Sequence, residues 1–324
     1  MGSCPTVFPH LITMYPKLPF LFHPYFLWEL PGWGVLYRWL QIHGIDNVNH
    51  RWRDAPTVVC RGKHHHYKMR LRLCDDIDRA TFFLGRNCDL EIQLLLNELL
   101  KEGDTFLDIG ANVGRTTLHA ARCVGISGRV IAVEPQPECC ERIREGILDN
   151  GLKHIEVHNV AAGESEETLE LKLLGGGTVM ATLSIDEKVD GPNVRAAIQV
   201  AVVPLDQRIP ADLPGRLIVK TDVEGFELYA LRGLQQSIRR YRPTILTEVD
   251  PRFLVRAGVD ALQLFDFLHD NGYSGYVIGL GRNWLRRPLL SLRPVETPEE
   301  LDGDIDVVWV ANDANHFDPA PWIQ

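Results

Sequence analysis

The segment Thr105-Phe-Leu-Asp-Ile-Gly-Ala-Asn-Val-Gly-Arg-Thr (105–116) indicates the fold of this chain. Its first five residues are typical of a short buried strand, and residues 113–123 have the spacing of a helix. A glycine-containing turn between a strand and a helix lies where open α/β sheets bind ligands. Gly110 and Gly114 are expected to let the backbone approach such a ligand where a Cβ atom would clash.

Strand and helix patterns alternate on both sides of this turn. Strand patterns lie at 105–109, 129–133, 154–160, 217–221 and 244–249, with helix patterns at 113–123, 137–150 and 227–238. Such alternation predicts βαβ units and a parallel sheet covered on both faces. Two further strand patterns, 273–278 and 305–310, have no helix of useful length between them, and we expect them to pair antiparallel. The prediction is an α/β fold with a doubly wound, mostly parallel, seven-stranded sheet.

Two segments depart from this alternation. Residues 164–203 contain strand patterns around Gly175, Gly176 and Gly177, which predicts an inserted hairpin or a mobile flap. We expect residues 1–80 to form an N-terminal extension with a short hairpin, and residues 81–324 to form the main domain. The hairpin carries His64, His65 and His66 at its tip, where we expect them to be solvated. Side chains alternate along a strand, so the three cannot face one metal ion.

The extension contains an aromatic-rich stretch, residues 18–40, punctuated by prolines. One interpretation is an arm or cap whose aromatic side chains pack on the main domain. The other is a surface that rests on a membrane or meets a lipid-linked substrate, because Tyr and Trp have one polar end and one apolar body. Both interpretations accommodate a short helix at 35–42.

The composition narrows the classes of partner. A net charge of −9 argues against extended nucleic-acid binding, which depends on Lys and Arg to neutralise phosphates. The sequence contains no uninterrupted apolar run of about 18 residues, so it does not predict a helix that spans a membrane. Of the seven cysteines, Cys139 and Cys140 are adjacent and the others are scattered, and none forms a C-x-x-C motif. This odd number without a metal-like pattern favours reduced thiols and a cytoplasmic location, with peripheral contact to a membrane left open.

Glu134 stands at the end of the second strand pattern, about 24 residues after Gly110. A carboxylate at this place can accept hydrogen bonds from both hydroxyls of a ribose. A dinucleotide fingerprint requires G-x-G-x-x-G, whereas this loop is G-x-x-x-G with Asn112 in place of the second glycine. A nicotinamide cofactor is therefore the lesser option.

A second motif, Lys-Thr-Asp-Val-Glu-Gly-Phe-Glu (220–227), ends one strand pattern and begins a helix pattern. Asp222 is expected to face the reacting group, because its strand and that of Asp108 are expected to be neighbours. Glu224 and Glu227 are expected on one face of the first helical turn, where acids complement the helix dipole.

Six segments together resemble the FkbM-type methyltransferases, in the order of that family and between Thr81 and Asn312. They are Asp-Ile-Gly-Ala-Asn-Val-Gly (108–114), Val-Glu-Pro (133–135), Pro-Leu-Asp (204–206), Lys-Thr-Asp-Val-Glu-Gly-Phe-Glu (220–227), Leu-Arg-Gly (231–233) and Arg-Pro-Thr-Ile-Leu-Thr-Glu-Val (242–249). The resemblance implies a Rossmann-like methyltransferase fold, S-adenosyl-L-methionine as methyl donor, and a hydroxyl acceptor on a sugar, glycolipid or secondary metabolite. It implies cofactor contacts in the glycine loop, at the ribose and around the adenine, from Asp108, Gly110, Ala111, Asn112, Gly114, Glu134, Pro135 and Ala162.

Methyl transfer to an alcohol requires a base that takes the hydroxyl proton. Asp222 is the first candidate, followed by Glu224 and Glu248, while His119 and His158 are expected to be structural. A metal-assisted route through Asp222, Glu248 and Asp250 is a weaker alternative, and no metal is expected. A protein that binds the donor without turnover, as a partner or regulatory module, remains the alternative to an O-methyltransferase. The sequence does not indicate an oligomeric state.

Overall fold

The computed structural model describes residues 15–42, 49–174, 181–183, 194–282, 288–313 and 317–323. The strands within these ranges are β1 (Thr57–Arg61), β2 (Lys68–Arg72), β3 (Thr105–Ile109), β4 (Arg129–Val133), β5 (Ile155–His158), β6 (Ala161–Ala162), β7 (Glu167–Leu174), β8 (Ala181–Leu183), β9 (Val194–Val203), β10 (Leu217–Thr221), β11 (Thr244–Val249), β12 (Tyr273–Arg282), β13 (Pro288–Val295) and β14 (Ile305–Ala311). The α-helices are α1 (Leu18–Leu21), α2 (His23–Leu27), α3 (Trp33–Trp39), α4 (Asn49–Trp52), α5 (Asp76–Leu84), α6 (Leu90–Leu99), α7 (Arg115–Val124), α8 (Pro137–Asn150), α9 (Glu227–Arg232), α10 (Gln235–Tyr241), α11 (Pro251–Arg256) and α12 (Ala261–Asp270).

The central sheet of the described chain has eight strands in the order β5-β4-β3-β10-β11-β14-β12-β13. The five strands from β5 to β11 run parallel, and the pairings of β14, β12 and β13 are antiparallel. Strands β3 and β10 are buried along their whole length, as expected for a sheet covered on both faces. The chain order reverses between β3 and β10, so their carboxyl ends border the switch point at which such sheets bind ligands.

The predicted fold class is confirmed, and the predicted bounds of β3, β4, β10 and β11 agree with the structure. The predicted strands 273–278 and 305–310 do pair antiparallel. The strand count is corrected from seven to eight, because Pro288–Val295 forms the edge strand β13. The strand β13 was not predicted because it contains Pro288 and Pro294, and proline is unfavourable inside a sheet. An edge strand tolerates proline, since one side of the strand has no partner for the missing N–H group.

The predicted helix 227–238 is two helices, α9 and α10, which are separated at Gly233. A Cβ atom at this position would lie 2.0 Å from the carbonyl oxygen of Gly163. The backbone at Gly233 also accepts a hydrogen bond from the N–H of Asp206 at 3.0 Å. The helix is interrupted here because the chain must pass close to a neighbouring loop.

A smaller sheet with the strand order β6-β9-β7-β8 follows β5 in sequence. The predicted inserted hairpin corresponds to the antiparallel pair β7 and β9. Gly175, Gly176 and Gly177 lie outside the described residues, as do residues 184–193 within the segment predicted to be a flap. The mobility of this segment stays a prediction.

The chain divides into two compact units. The N-terminal unit comprises the described residues within Met1–Cys60 together with Met69–Cys88, and the main unit comprises Arg61–Lys68 together with the described residues from Asp89 onward. Helix α5 spans the predicted domain boundary at residue 80 and lies in the N-terminal unit. The strands β1 and β2 form the predicted hairpin.

The N-terminal unit has its own aromatic core, in which Phe26, Trp52 and Phe83 are fully buried. Arg79 is buried with them and donates to the carbonyl oxygens of Ile42 and Leu73. Aromatic residues of the N-terminal stretch therefore bury against α5 within this unit. Among the described helices, none has the length and apolar character needed to cross a bilayer.

Candidate active site

The turn after β3 contains two glycines that the packing of the protein itself requires. Gly110 has a left-handed backbone (φ +77°), and a Cβ atom there would lie 1.8 Å from the carbonyl oxygen of Asp222. At Gly114 (φ +82°), a Cβ atom would lie 3.0 Å from Cγ1 of Ile143. The expected reason for these glycines was access of a ligand to the backbone. In the structure they bring this turn against the turn after β10 and against helix α8.

The carboxylate of Glu134, directly after β4, is 4% exposed and holds the glycine turn in place. Its Oε2 accepts a hydrogen bond from the backbone N–H of Asn112 at 2.8 Å, and its Oε1 accepts one from the N–H of Gln136 at 2.9 Å. Burial raises the pKa of Glu134 to about 7, although these two hydrogen bonds act in the opposite direction. Each carboxylate oxygen keeps lone-pair capacity that a ligand hydroxyl can use.

Asp108, near the end of β3, is fully buried beneath the turn. Its Oδ2 accepts a hydrogen bond from Oγ1 of Thr117 at 2.6 Å, which ties β3 to helix α7. Burial raises the pKa of Asp108, and the positive charge of Lys220 opposes this shift. The other carboxyl oxygen, Oδ1, has no hydrogen-bond partner within the described parts of the chain.

An open cleft lies at the switch point of the sheet, where α/β folds of this kind bind ligands. It brings together seven of the eleven residues predicted for the site, namely Gly110, Asn112, Glu134, Pro135, Ala162, Asp222 and Glu224. The other seven lining residues are Ile109, Val133, Gln136, Val160, Ala161, Leu171 and Val223. Four predicted residues are not part of its wall, namely Asp108, Ala111, Gly114 and Glu248.

Asp222 follows β10 and faces the cleft with a side chain that is 39% exposed. Its Oδ2 is 2.7 Å from Nζ of Lys220, which is buried near the end of β10. Burial acts to raise the pKa of Asp222, but the ammonium group of Lys220 holds it below its usual value. Burial likewise acts to lower the pKa of Lys220, yet the charges of Asp222 and Asp108 hold it above its usual value. At neutral pH the cleft therefore presents an ionised carboxylate beside a buried ammonium group.

Glu248, near the end of β11, forms a side-chain hydrogen bond with Asp222. The negative charge of Asp222, together with burial, raises the pKa of Glu248 far above its usual value. The two carboxyl groups therefore share one proton at neutral pH, with the proton on Glu248 and the charge on Asp222. The sequence analysis placed both residues at this edge of the sheet, but it did not identify Lys220 as part of the site. The one feature of the sequence that could have indicated it is a charged residue within a strand that is otherwise apolar and buried.

The turn between β10 and α9 contains two further acids with different roles. Glu224 lines the cleft in a left-handed conformation (φ +53°), and burial together with the charge of Asp222 raises its pKa to about 8. Glu227 is buried, and its Oε1 accepts hydrogen bonds from the N–H groups of Val223 at 3.0 Å and Gly225 at 3.3 Å. Glu224 was predicted within the first helical turn, but it precedes the helix, which begins at Glu227.

Two acids near the cleft were not identified from sequence. Asp306 lies opposite Glu248 in the pairing of β11 with β14, and burial raises its pKa to about 7. Asp89 precedes helix α6, and burial followed by the charge of Asp222 raises its pKa. Both come from distant parts of the sequence, so no local motif marks them.

The ligand set considered for a metal-assisted route is not assembled. Asp250 caps helix α11 and forms an ion pair with Arg252, with Oδ2 and Nη2 2.5 Å apart. Within the described ranges, no group of three or more His, Cys, Asp or Glu side chains is arranged to hold a metal ion.

The histidines at the hairpin tip were expected to be solvated, and this is wrong for His65. Its side chain is buried, its Nδ1 accepts a hydrogen bond from the N–H of Tyr67 at 3.1 Å, and burial lowers its pKa to about 3. The ring of His119 lies 6.3 Å from that of His65, and its Nε2 is 3.1 Å from Oδ1 of Asn97. Packing and hydrogen bonding account for His119, as expected for a structural histidine.

A family model described as the methyltransferase FkbM domain matches residues 108–274. The hexuronic acid methyltransferase AglP of Haloferax volcanii is 26% identical over 211 residues, which cover 59% of this chain and 76% of AglP. The 23S rRNA (uracil(1939)-C(5))-methyltransferase RlmD of Acinetobacter baylyi is 37% identical over 60 residues, which are 18% of this chain and only 13% of RlmD.

Among solved structures, the methyltransferase FkbM from Methylobacillus flagellatus KT is similar to this chain with a TM-score of 0.38 and 18% identity. That match covers 72% of this chain and 55% of the other. An S-adenosylmethionine-dependent O-methyltransferase from Thermotoga maritima has a TM-score of 0.37 and 14% identity, with 84% of this chain and 83% of the other covered.

Proposed function

Because the chain belongs to the FkbM methyltransferase family, for which S-adenosylmethionine is the methyl donor, we propose that it methylates a hydroxyl group on a sugar, glycolipid or secondary metabolite. The resemblance inferred from the six sequence segments is confirmed over residues 108–274. The observation that carries the proposal is the ionised, partly exposed carboxylate of Asp222 at the switch-point cleft.

The cleft has the groups that an adenosyl ligand requires. Glu134 has lone-pair capacity for two ribose hydroxyls, while the glycine turn and Gln136 fix its carboxylate. Apolar residues suited to the adenine ring line the same cleft, among them Pro135, Ala162 and Leu171. Asp108, Ala111 and Gly114 would support the cofactor contacts from behind the wall of the cleft.

When bound, the donor supplies an electrophilic methyl group on a positively charged sulfonium. The negative charge of Asp222 favours that positive charge in the cleft. Asp222 also has the exposure and the ionisation needed to accept the proton of an acceptor hydroxyl. Lys220 holds the Asp222 carboxylate at 2.7 Å, and Glu248 hydrogen-bonds to it, so both act as positioning residues.

Glu224 is the second candidate for the base, and the pH dependence of kcat separates the two. With Asp222 as base, kcat at saturating donor and acceptor should be independent of pH between 6 and 9, because its pKa lies below that of an ordinary carboxyl group. With Glu224 as base, kcat should rise as the pH passes through about 8. We favour Asp222, since Glu224 is largely protonated at neutral pH.

The charge of the cleft favours a neutral acceptor. Asp222 faces the cleft as an ionised carboxylate, and the buried Lys220 is already paired with it. A carboxylate acceptor would meet like charge there, whereas a hydroxyl acceptor would meet a base. The relative AglP is named for hexuronic acid, so acceptors of both kinds belong in the test.

The test is to incubate the purified protein with methyl-labelled donor and a panel of neutral sugars, glycolipids, hydroxylated secondary metabolites and uronic acids. Methyl ethers withstand mild alkali and methyl esters do not, so the proposal expects label that is stable to alkali. The Asp222→Asn variant should lose turnover by a larger factor than it loses donor affinity, and Glu141→Gln, on the exposed side of α8, is the matched control.

Alkali-labile label would contradict hydroxyl methylation and indicate a carboxyl acceptor. Full activity in Asp222→Asn would contradict the assigned base. Binding of the donor without turnover on any acceptor of the panel or of a cell extract would support the alternative of a non-catalytic binding module.

A further inference from the structure

The exposed apolar side chains of this protein are concentrated in the N-terminal unit. Fourteen large hydrophobic side chains are exposed in the described residues, and six of them lie within residues 18–39. We call these six the apolar surface, which consists of Leu18, Leu21, Trp28, Leu30, Val35 and Trp39. So many exposed apolar side chains within one short stretch are more than the single, scattered surface hydrophobics that need no explanation, and they make this stretch a candidate interaction site.

The helices in this stretch are amphipathic. In α3, Val35 and Trp39 are four residues apart on one exposed side, whereas Tyr37 is buried against Phe26. In α1, Leu18 and Leu21 are exposed and three residues apart. The core of the N-terminal unit is formed by other side chains, among them Phe26 and Tyr37, which are buried. The six side chains of the apolar surface are therefore not part of that core.

The exposed charges within the stretch that carries the apolar surface have one sign. Within residues 15–42, the exposed charged side chains are Lys17 and Arg38. The one acid in this range, Glu29, is half-buried and forms an ion pair with Arg86, with Oε1 and Nε 2.9 Å apart. The exposed charge of this stretch is therefore positive, although the whole chain has a net charge of −9.

We propose that the apolar surface binds the interface of an anionic lipid bilayer, into which Trp28 and Trp39 insert while Lys17 and Arg38 meet the lipid headgroups. Short helices with Trp and Leu exposed beside cations are suited to the boundary between headgroups and acyl chains. Exposed Trp side chains favour this location, because the indole ring is apolar and its N–H is polar. The positive charge selects anionic lipids over neutral ones.

The experiment is sedimentation of the full chain with vesicles of phosphatidylcholine alone and with vesicles containing phosphatidylglycerol. The protein should bind the anionic vesicles more tightly, and 0.5 M NaCl, used here as about three times physiological ionic strength, should weaken this binding. The double variant Trp28→Ala/Trp39→Ala should reduce the partition coefficient by about tenfold or more. Its matched control is Leu148→Ala/Val255→Ala, which removes similarly exposed apolar side chains elsewhere and should bind as the wild type does.

A second pair of variants tests the charge. Lys17→Gln/Arg38→Gln should lower binding to anionic vesicles by about tenfold at low salt and leave binding to neutral vesicles unchanged. Thermal unfolding of each variant verifies that it is folded, and the readout does not require methyl transfer. The proposal is overturned by equal binding to both kinds of vesicle, by no binding to either, or by a dimer in solution that Trp28→Ala/Trp39→Ala dissociates.

Discussion

Replacement of Glu134 by Gln tests the cofactor site with almost no change in side-chain shape. In the wild type, both carboxylate oxygens accept a backbone N–H at 2.8–2.9 Å and each has capacity for one ribose hydroxyl. In Glu134→Gln one carboxylate oxygen is replaced by an NH₂ group, which can accept a hydrogen bond neither from the backbone N–H nor from the ribose hydroxyl. Hydrogen bonds to a charged group contribute about 1.5–3 kcal/mol, so the loss of one at the ribose should weaken donor binding by about 10–150-fold at pH 8.5.

The pH dependence makes this prediction specific. The pKa of Glu134 in the ligand-free protein is about 7, so below that pH the wild-type side chain is protonated and resembles the variant. The affinity of the wild type should therefore fall as the pH drops below 7 and level off near that of Glu134→Gln, whereas the affinity of the variant should lack this dependence. The ratio of the two dissociation constants should therefore be several-fold smaller at pH 5.5 than at pH 8.5.

Isothermal titration calorimetry with S-adenosylmethionine at pH 5.5, 7 and 8.5 measures these constants. Glu141→Gln, an exposed change of the same chemistry, should match the wild type at every pH. A ratio below about threefold at pH 8.5, or a ratio that does not change with pH, would refute the role assigned to Glu134.

Three further predictions follow from the same geometry. Gly110→Ala would place a Cβ atom 1.8 Å from the carbonyl oxygen of Asp222 at a positive φ, so it should lower the free energy of unfolding by about 2–5 kcal/mol in chemical denaturation. Gly151→Ala, at a positive φ with open space around it, should cost only about 1–2 kcal/mol, and equal costs would contradict the packing argument. Lys220→Met should raise the pKa of Asp222, so the acidic limb of the pH profile of kcat should move upward by about one unit or more, and an unchanged profile would exclude Lys220 as a positioning residue. Burial raises the pKa of three carboxyls at or near the cleft to about 7. Each of them stays protonated in the folded protein while it ionises in the unfolded chain, so its stabilising contribution is lost as the pH rises from about 4.5 to 7 and does not change further above 7. The melting temperature of the ligand-free protein should therefore fall over this range, and calorimetric melting temperatures that rise over it would contradict the prediction.

The sequence alone determined the sheet and the place of the cleft. Strands β3, β4, β10 and β11 were predicted with their observed bounds, because burial on both faces leaves continuous apolar runs that end at glycines and acids. The chain order of these strands fixed the switch point, and Gly110, Glu134 and Asp222 were predicted there because each follows a strand directly. The edge strand β13 was missed, since its prolines mask the strand pattern.

Only the tertiary structure decided the protonation and the exposure of individual side chains. Lys220 became part of the site because strand pairing buries it beside Asp222, and Asp306 because β14 places it opposite Glu248. Local patterns determine which segments become strands and helices, since hydrophobic periodicity and turn residues act over a few positions. The proton shared by Asp222 and Glu248 depends on burial and on charges from residues that are far apart in the chain. The exposure of Trp39 likewise depends on which other segments pack nearby, and no short stretch of sequence contains this information.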